Sequence, residues 1–340
     1  MALALEVKKF INSQHTGEYI DVVVPYDVEP APVKKAKQTA EKEAPDTAPA
    51  QDDSAPEGAN DAATELSNED FTVSEDGPIA TETLKIHYLD EGSGDTIILV
   101  HAPGQSLYTW RQLFPMLAQD YRVIAIDLPG HGYSTRNEHL GYSIPEMARV
   151  LSAFMDAKEI ASANFVGFSM ASAYCLELAA LCPEKVKRLA IVNPGGVTVE
   201  MPLSIRMLQT PFFGAISSTL FGIRTLTNCL NDCLFDHTVL TPDVINEYYA
   251  TISDSLSRRA VKTTFAHYFE EDTLAKLRDI EQFVLVIHSV EDKWHSNERA
   301  EFYHAGIRNS VRTEIRNAGH LVQEEKPAKV HEAVTDFFTK

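Results

Sequence analysis

Cysteine is scarce in this chain, four in 340 residues, and the four lack the company a metal site needs. Cys175 and Cys182 stand seven apart and Cys229 and Cys233 four apart, each pair on a predicted helix. No histidine or further cysteine completes a ligand set, so the pattern predicts free, buried or half-buried thiols in a reducing compartment. Positive charge is also short: 30 Lys and Arg against 49 Asp and Glu leave a net charge of −19. Such a surface argues against nucleic acid or an anionic membrane as a partner. No apolar run approaches membrane-spanning length. The opening Met1–Lys9 has no basic leader and meets a charge after five residues, so it does not read as a signal peptide. Internal repeats are absent too. Together these absences lead to the expectation of a cytoplasmic protein without a metal or cofactor.

The acidity is uneven. Residues 41–70 hold ten carboxylates against Lys42 alone, which accounts for −9 of the −19. Residues 28–75 are mostly Ala, Pro, Glu, Asp and Ser with hardly an aromatic. A segment so poor in apolar surface cannot offset its ordering entropy, and it reads as an acidic, disordered linker. Before it, residues 1–27 hold an apolar piece through Phe10 and Ile11 and a strand-like run from Glu18 to Val24. This arm is too short to fold alone. Three readings stay open: an addition to a sheet edge, a docking segment for a protein partner, or a partly ordered tail.

What is there begins at about residue 76 and runs to 340, a length that supports one large domain with a sizeable core. Apolar runs at Leu84–Leu89, Thr96–Val100, Val123–Ile126, Ala163–Phe168 and Val186–Val192 alternate with helical patterns near Trp110–Leu117, at Ile144–Ala157 and after Ser169. Buried strands between amphipathic helices imply an α/β fold, a mainly parallel sheet covered by helices on both faces. The alternation breaks at residues 197–275, which read as helices only, rich in Leu, Phe and Met. It resumes with Phe283–His288, a helix at Asn297–Tyr303, the strand Val311–Ile315 and a last helix Ala328–Phe338. An all-helical insert after the sixth strand reads as a lid over a pocket, or as plain core packing.

The stretch Ala163–Ala173 carries the first chemical signal. A short apolar strand ends in Gly167-Phe168-Ser169-Met170-Ala171 and turns at once into a helix. A serine at the apex of a strand–turn–helix has its hydroxyl lifted clear of the sheet, and the next N–H, of Met170, points toward an oxyanion. Read alone, a serine at a helix start is more often an N-cap that accepts from an orphan backbone N–H.

Three further motifs join it: Leu99-Val100-His101-Ala102-Pro103-Gly104 with Trp110, Asp127-Leu128-Pro129-Gly130-His131-Gly132-Tyr133-Ser134, and Asn317-Ala318-Gly319-His320. In this order residues 80–340 resemble the α/β-hydrolase fold family, in its lid-bearing, esterase-like branch. The resemblance implies a triad in the order Ser, acid, His. Ser169 matches the nucleophile and His320 the base. The acid falls in the turn after the strand that follows the insert, at Asp292, with Glu291 as the alternative. A serine hydroxyl is a poor nucleophile until a neutral imidazole accepts its proton and a carboxylate fixes that imidazole's tautomer. His101, His295 and His304 are expected to be structural, His101 as support for the oxyanion loop.

Two features depart from the family. Ala102 and Ala171 stand where glycine is usual, a mild change. Pro103 stands at the position whose backbone N–H joins that of Met170 in the oxyanion hole, and proline has no N–H. Loss of one such donor typically costs about 10²–10³ in rate. Either Gly104 donates instead, or a side chain (Gln105, Ser106 or Tyr108) replaces it, or the hole is crippled.

The resemblance therefore implies a serine hydrolase that cleaves an acyl bond, such as a carboxylic ester, of a small and partly apolar substrate. Tyr108, Phe168, Phe212, Trp294 and Leu321 are candidate pocket walls. The serine weighs against the branches that use an aspartate nucleophile, and Leu321 weighs against the carbon–carbon bond hydrolases, which often carry Trp after the base. The alternatives are a weak or inactive hydrolase-fold protein that binds a ligand or acts as a scaffold, and an acyl transferase or perhydrolase using the same triad.

Overall fold

The computed structural model describes residues 2–25, 81–210 and 221–340. The expected acidic linker and the pocket candidate Phe212 lie outside the described residues. Eight strands form one sheet: β1 (Glu18–Pro25), β2 (Thr81–Glu91), β3 (Thr96–Val100), β4 (Arg122–Ile126), β5 (Ala163–Phe168), β6 (Val186–Val192), β7 (Phe283–Ser289) and β8 (Ser310–Ile315). Their order is β1-β2-β4-β3-β5-β6-β7-β8. β2 runs antiparallel to β1 and β4, and every other pairing is parallel.

The apolar runs explain the layering. Along β3, Ile98 and Val100 face one core and Ile97 and Leu99 the other, because side chains alternate across a strand. On the first face lie α3 (Ile144–Ala157) and α4 (Ala171–Leu181); on the second lie the short α2 (Phe114–Leu117) and the C-terminal helix Pro327–Phe338. Each fully buried Ile or Leu contributes about 1.5–3 kcal/mol. Ser143 and Glu146 close a capping box at the start of α3, which fixes where that helix begins. The helix expected near Trp110–Leu117 is broken in two, a 3₁₀ turn at Leu107–Trp110 and then α2. Pro115 has no N–H to bond back to Arg111, so the helix restarts.

The N-terminal arm belongs to the sheet. β1 pairs with β2 from Glu18↔Tyr88 to Pro25↔Thr81, and its Val22 and Val24 are buried while Val23 faces out. The preceding α1 (Ala2–Ser13) sets Phe10 against Phe114, with ring centroids 5.0 Å apart. Of the readings left open for residues 1–27, addition to the sheet edge is the one observed.

Between β6 and β7 the described residues form α5 (Leu203–Arg206), α6 (Ile223–Cys233), α7 (Pro242–Ala250), α8 (Ser255–Ala266) and α9 (Glu271–Ala275), with no strand. In α6 the buried residues are Leu226, Cys229, Leu230 and Cys233, at the spacing of one helical face. After β7 come α10 (Asn297–Gly306), β8, the one-turn α11 (Val322–Glu325) and the last helix, α12 (Pro327–Phe338).

Candidate active site

Ser169 stands between β5 and α4 with φ 53°, a left-handed conformation that a non-glycine residue holds only when its surroundings impose it. Its own N–H donates to the carbonyl of Val192 at 2.8 Å, which ties the turn to the end of β6. The tight turn also needs Gly167: a Cβ there would sit 3.0 Å from both the Ala171 carbonyl oxygen and the Cys175 sulfur. Ala171 is accommodated without such conflict, fully buried at the start of α4. Met170 precedes α4 as its N-cap, and among the described residues no hydrogen bond takes up its N–H.

The three residues matched from far-apart segments meet. His320 Nε2 lies 3.0 Å from Ser169 Oγ, and its Nδ1 lies 2.7 Å from Asp292 Oδ2. The carboxylate can only accept, so Nδ1 carries the proton and Nε2 offers a lone pair to the serine hydroxyl. Asp292 Oδ1 accepts from the N–H groups of Trp294 (2.8 Å) and His295 (3.1 Å), so both carboxylate oxygens are oriented. Burial raises the Asp292 carboxyl, but the charge and hydrogen bond of His320, with His295, bring it below the ordinary value. Ser169 and His320 are nearly sealed, 4% and 2% exposed. Glu291, the alternative acid, accepts from the Ala318 N–H and braces the turn that carries His320.

The imidazole of His320 is enclosed by rings. Phe168, Trp294 and His295 lie with centroids 4.9, 5.2 and 4.8 Å from it. Its backbone N–H donates to the carbonyl of Cys233, at 2.6 Å, so α6 of the insert also helps to place it. Trp294 donates its indole N–H to Asp232 Oδ2 at 2.6 Å, a second tie to α6.

His101 is structural, as expected. Its Nδ1–H donates to the Ala102 carbonyl at 2.8 Å, and Nε2 accepts from the Leu128 N–H at 3.0 Å, which requires a neutral ring. Burial lowers its pKa, in agreement with that state. The neighbouring His131 is pushed down to about 3, chiefly by burial and then by His101. Asp127 accepts from the N–H groups of Leu107 and Tyr133 and pairs with His87 Nδ1 at 2.7 Å, so the Asp127–Ser134 motif ties together the loops under the site. His304 bonds Ser310 Oγ at 2.8 Å, remote from the triad residues in its hydrogen bonding.

Ser169 and His320 open on an apolar cavity. Ala102, Pro103, Gly104, Gln105, Phe168, Met170, Trp294 and Leu321 line it from the sheet side, with Met201, Leu208, Leu226, Leu230, Ile252 and Phe265 among the residues from the insert. Of the expected pocket walls, Phe168, Trp294 and Leu321 are in place. Tyr108 is not among the lining residues: it is buried, edge-on to Tyr248 with Arg111 over its ring. Its neighbour across that contact, Tyr248, reaches the cavity instead. The four cysteines are free thiols, and Cys229 and Cys233 form part of the cavity wall.

Ligand atoms of Asp292, His295 and His320 lie within 4.8 Å of one another, the one such group among the described residues. Each is already engaged: Asp292 with His320, and both ring nitrogens of His295 with the carbonyls of Asn193 and Gly196 at 2.8 Å. A metal ion would have to break these bonds.

Two supports escaped the sequence reading. Asn193, with φ 44°, donates to Ser289 Oγ (3.0 Å) and the His320 carbonyl (2.8 Å) and accepts from the Ser289 N–H (2.8 Å). One side chain thus joins the ends of β6 and β7 to the histidine turn; its only local signal is an Asn between a strand and Pro-Gly-Gly. The second is a buried cluster in which Glu324 accepts from Arg111 (2.6 Å), Thr109 (3.2 Å) and the hydroxyl of Tyr248. It fastens α7 of the insert to α11, directly after His320.

Comparison with known proteins agrees with this architecture. Residues 95–214 match the family described as the alpha/beta hydrolase fold. An uncharacterized hydrolase, YugF, of Bacillus subtilis is 26% identical over 253 residues, 74% of this chain and 92% of that protein. The 2-hydroxy-6-oxo-6-(2'-aminophenyl)hexa-2,4-dienoic acid hydrolase of Metapseudomonas resinovorans is 28% identical over 265 residues, 76% of this chain and 88% of that protein. Among solved structures, a meta-cleavage product hydrolase from Pseudomonas fluorescens matches with TM-score 0.65 at 23% identity, covering 75% of this chain and 94% of that one. A thermophilic esterase from Thermogutta terrifontis matches with TM-score 0.66 at 18% identity, covering 78% and 96%. The chain is thus similar in sequence to a 2-hydroxy-6-oxo-dienoic acid hydrolase and shares its fold with an esterase, and the argument drawn from Leu321 does not separate it from the former.

Proposed function

We propose that this chain, whose residues 95–214 match the alpha/beta hydrolase fold family, is a serine hydrolase cleaving an acyl bond, such as a carboxylic ester, of a small and largely apolar substrate. The single observation behind this reading is the chain of contacts Ser169 Oγ, His320 Nε2, His320 Nδ1 and Asp292 Oδ2 at the edge of an apolar cavity. Ser169 Oγ attacks the carbonyl carbon as His320 Nε2 takes its proton, and Asp292 stabilises the imidazolium that forms. The N–H of Met170 donates to the oxyanion. Collapse expels the leaving group, which takes the proton from His320. Water, deprotonated by the same nitrogen, then releases the acid from Ser169. The helical insert acts as the lid, and its carbon-rich wall selects an apolar acyl or aromatic portion by burial.

The test is labelling with a fluorescent fluorophosphonate. Wild type is expected to label and Ser169→Ala is not. Absence of labelling in folded wild type overturns the reading and favours a non-catalytic binding protein. A second reading, hydrolysis of a carbon–carbon bond beside a ketone, is favoured by the relative from Metapseudomonas resinovorans. Faster turnover of a 2-hydroxy-6-oxodienoate than of p-nitrophenyl butyrate would establish it over the ester.

A further inference from the structure

The loop facing Ser169 is short of donors. Ala102, Pro103, Gly104 and Gln105 form a turn closed by the Gln105 N–H on the Ala102 carbonyl at 3.2 Å, with Gly104 at φ 79°. Proline then glycine at the two central positions is the type II pattern. Pro103 has no N–H, and that of Gln105 is spent inside the turn. The Ser106 hydroxyl accepts from the Tyr108 N–H at 3.3 Å as the cap of the 3₁₀ turn, and neither Ser106 nor Tyr108 is among the residues that line the cavity. The Gln105 side chain is different. It lines the same cavity as Ser169 and Met170, and its amide oxygen is buried with no hydrogen-bond partner. A buried amide end without a partner calls for an explanation, and a half-turn about the last torsion exchanges oxygen for NH₂.

We infer that the Gln105 side-chain amide is a catalytic donor of the oxyanion hole, taking the place of the backbone N–H that Pro103 lacks. This rests on the serine-hydrolase reading above. In the resting chain the amide is idle. As the substrate carbonyl becomes an oxyanion beside Met170 N–H, Gln105 Nε2–H donates to it from the opposite side. The proline stiffens the turn, and the glutamine restores the second donor that the turn gave up.

Three full-length variants test the assignment, with p-nitrophenyl butyrate as substrate and thermal unfolding as the check on folding. Gln105→Leu is expected to lower kcat by about 10²-fold with KM nearly unchanged, because the bond forms only in the transition state. Gln105→Glu, similar in shape but acceptor-only and charged, is expected to lose more than Gln105→Leu. Pro103→Gly in the Gln105→Leu background restores a backbone N–H and is expected to recover at least about tenfold of the loss. Gln105→Leu within about threefold of wild type would overturn the assignment and give the second donor to Gly104. A loss that Pro103→Gly leaves untouched would also overturn it, since Gln105 would then shape the pocket only. Failure of the serine-hydrolase reading looks different: wild type itself neither labels with the fluorophosphonate nor turns over.

Discussion

At the end of β6, Asn193 holds Ser289 and His320 with one side chain; across the cavity, Leu226, Leu230 and Ile252 offer only carbon. The first region is built of directional bonds between strand ends, and a small displacement breaks them. The second is built of area, which tolerates change of shape and sets what fits. The contacts among Ser169, His320 and Asp292 therefore sit at the strand ends, and the insert supplies much of the cavity wall. Polar ties join the two regions, among them the Cys233 carbonyl on His320, Asp232 on Trp294, Tyr248 on Glu324 and the Tyr268 hydroxyl on the Met170 carbonyl.

Substitutions can sharpen that contrast. Asp292→Asn should have the largest effect, a drop in kcat of about 10⁴-fold, because the amide favours the wrong tautomer of His320 while the apolar wall is untouched. KM for a given ester should stay close to wild type in the same steady-state experiment. If both parameters collapse together with the thermal midpoint, Asp292 is a structural residue first.

Acid should act on the strand-end region next. His131 is buried and neutral, faced by His101, Asp127 and Arg136, with its Nδ1 on the Pro129 carbonyl, and its pKa in the fold is about 3. The unfolded chain binds a proton at ordinary imidazole pKa and the fold does not. Stability should therefore fall as pH drops from about 6.5 toward 3, by up to about 1.4 kcal/mol per pH unit from this group. Urea melts at a series of pH values would read the slope, and His131→Asn should flatten it. An unchanged slope in that variant would assign the acid sensitivity to other groups.

Asn193→Ala leaves the Ser289 N–H and the His320 carbonyl without their partner, and should cost about 1–3 kcal/mol in stability. It should also slow turnover, whereas a stability loss with full activity would mean that the backbone alone holds the histidine turn. Leu230→Ala should have the smallest effect. It enlarges the apolar wall and shifts preference toward a longer acyl chain by about tenfold, with short esters hydrolysed nearly as before. A panel of p-nitrophenyl esters of increasing chain length reads this directly; a uniform loss at every length would place Leu230 in support of the triad instead.

Much of this was legible in the linear chain where the signal was local. The run Ala163–Ala173 spelled a strand, a tight turn and a helix because apolar alternation, small flanks and helical spacing each act over a few residues. Asn193 was illegible, since its partners lie 96 and 127 positions away and an Asn before Pro-Gly-Gly reads as an ordinary turn. Tyr108 was misread because an aromatic beside an oxyanion loop suggests a wall, while Arg111 and Tyr248 draw its ring into the core.

By itself the sequence determined the strands, their burial, the strand–turn–helix around Ser169 and the order of the chemically competent residues, because periodicity and side-chain type are properties of neighbours. Only the tertiary structure decided that the N-terminal strand closes the sheet edge, that Glu291 braces the turn of His320 rather than bonding its ring, and that Gln105 lines the same cavity as Ser169. Each of these depends on pairings between distant segments, where packing selects one partner among several that local chemistry would accept.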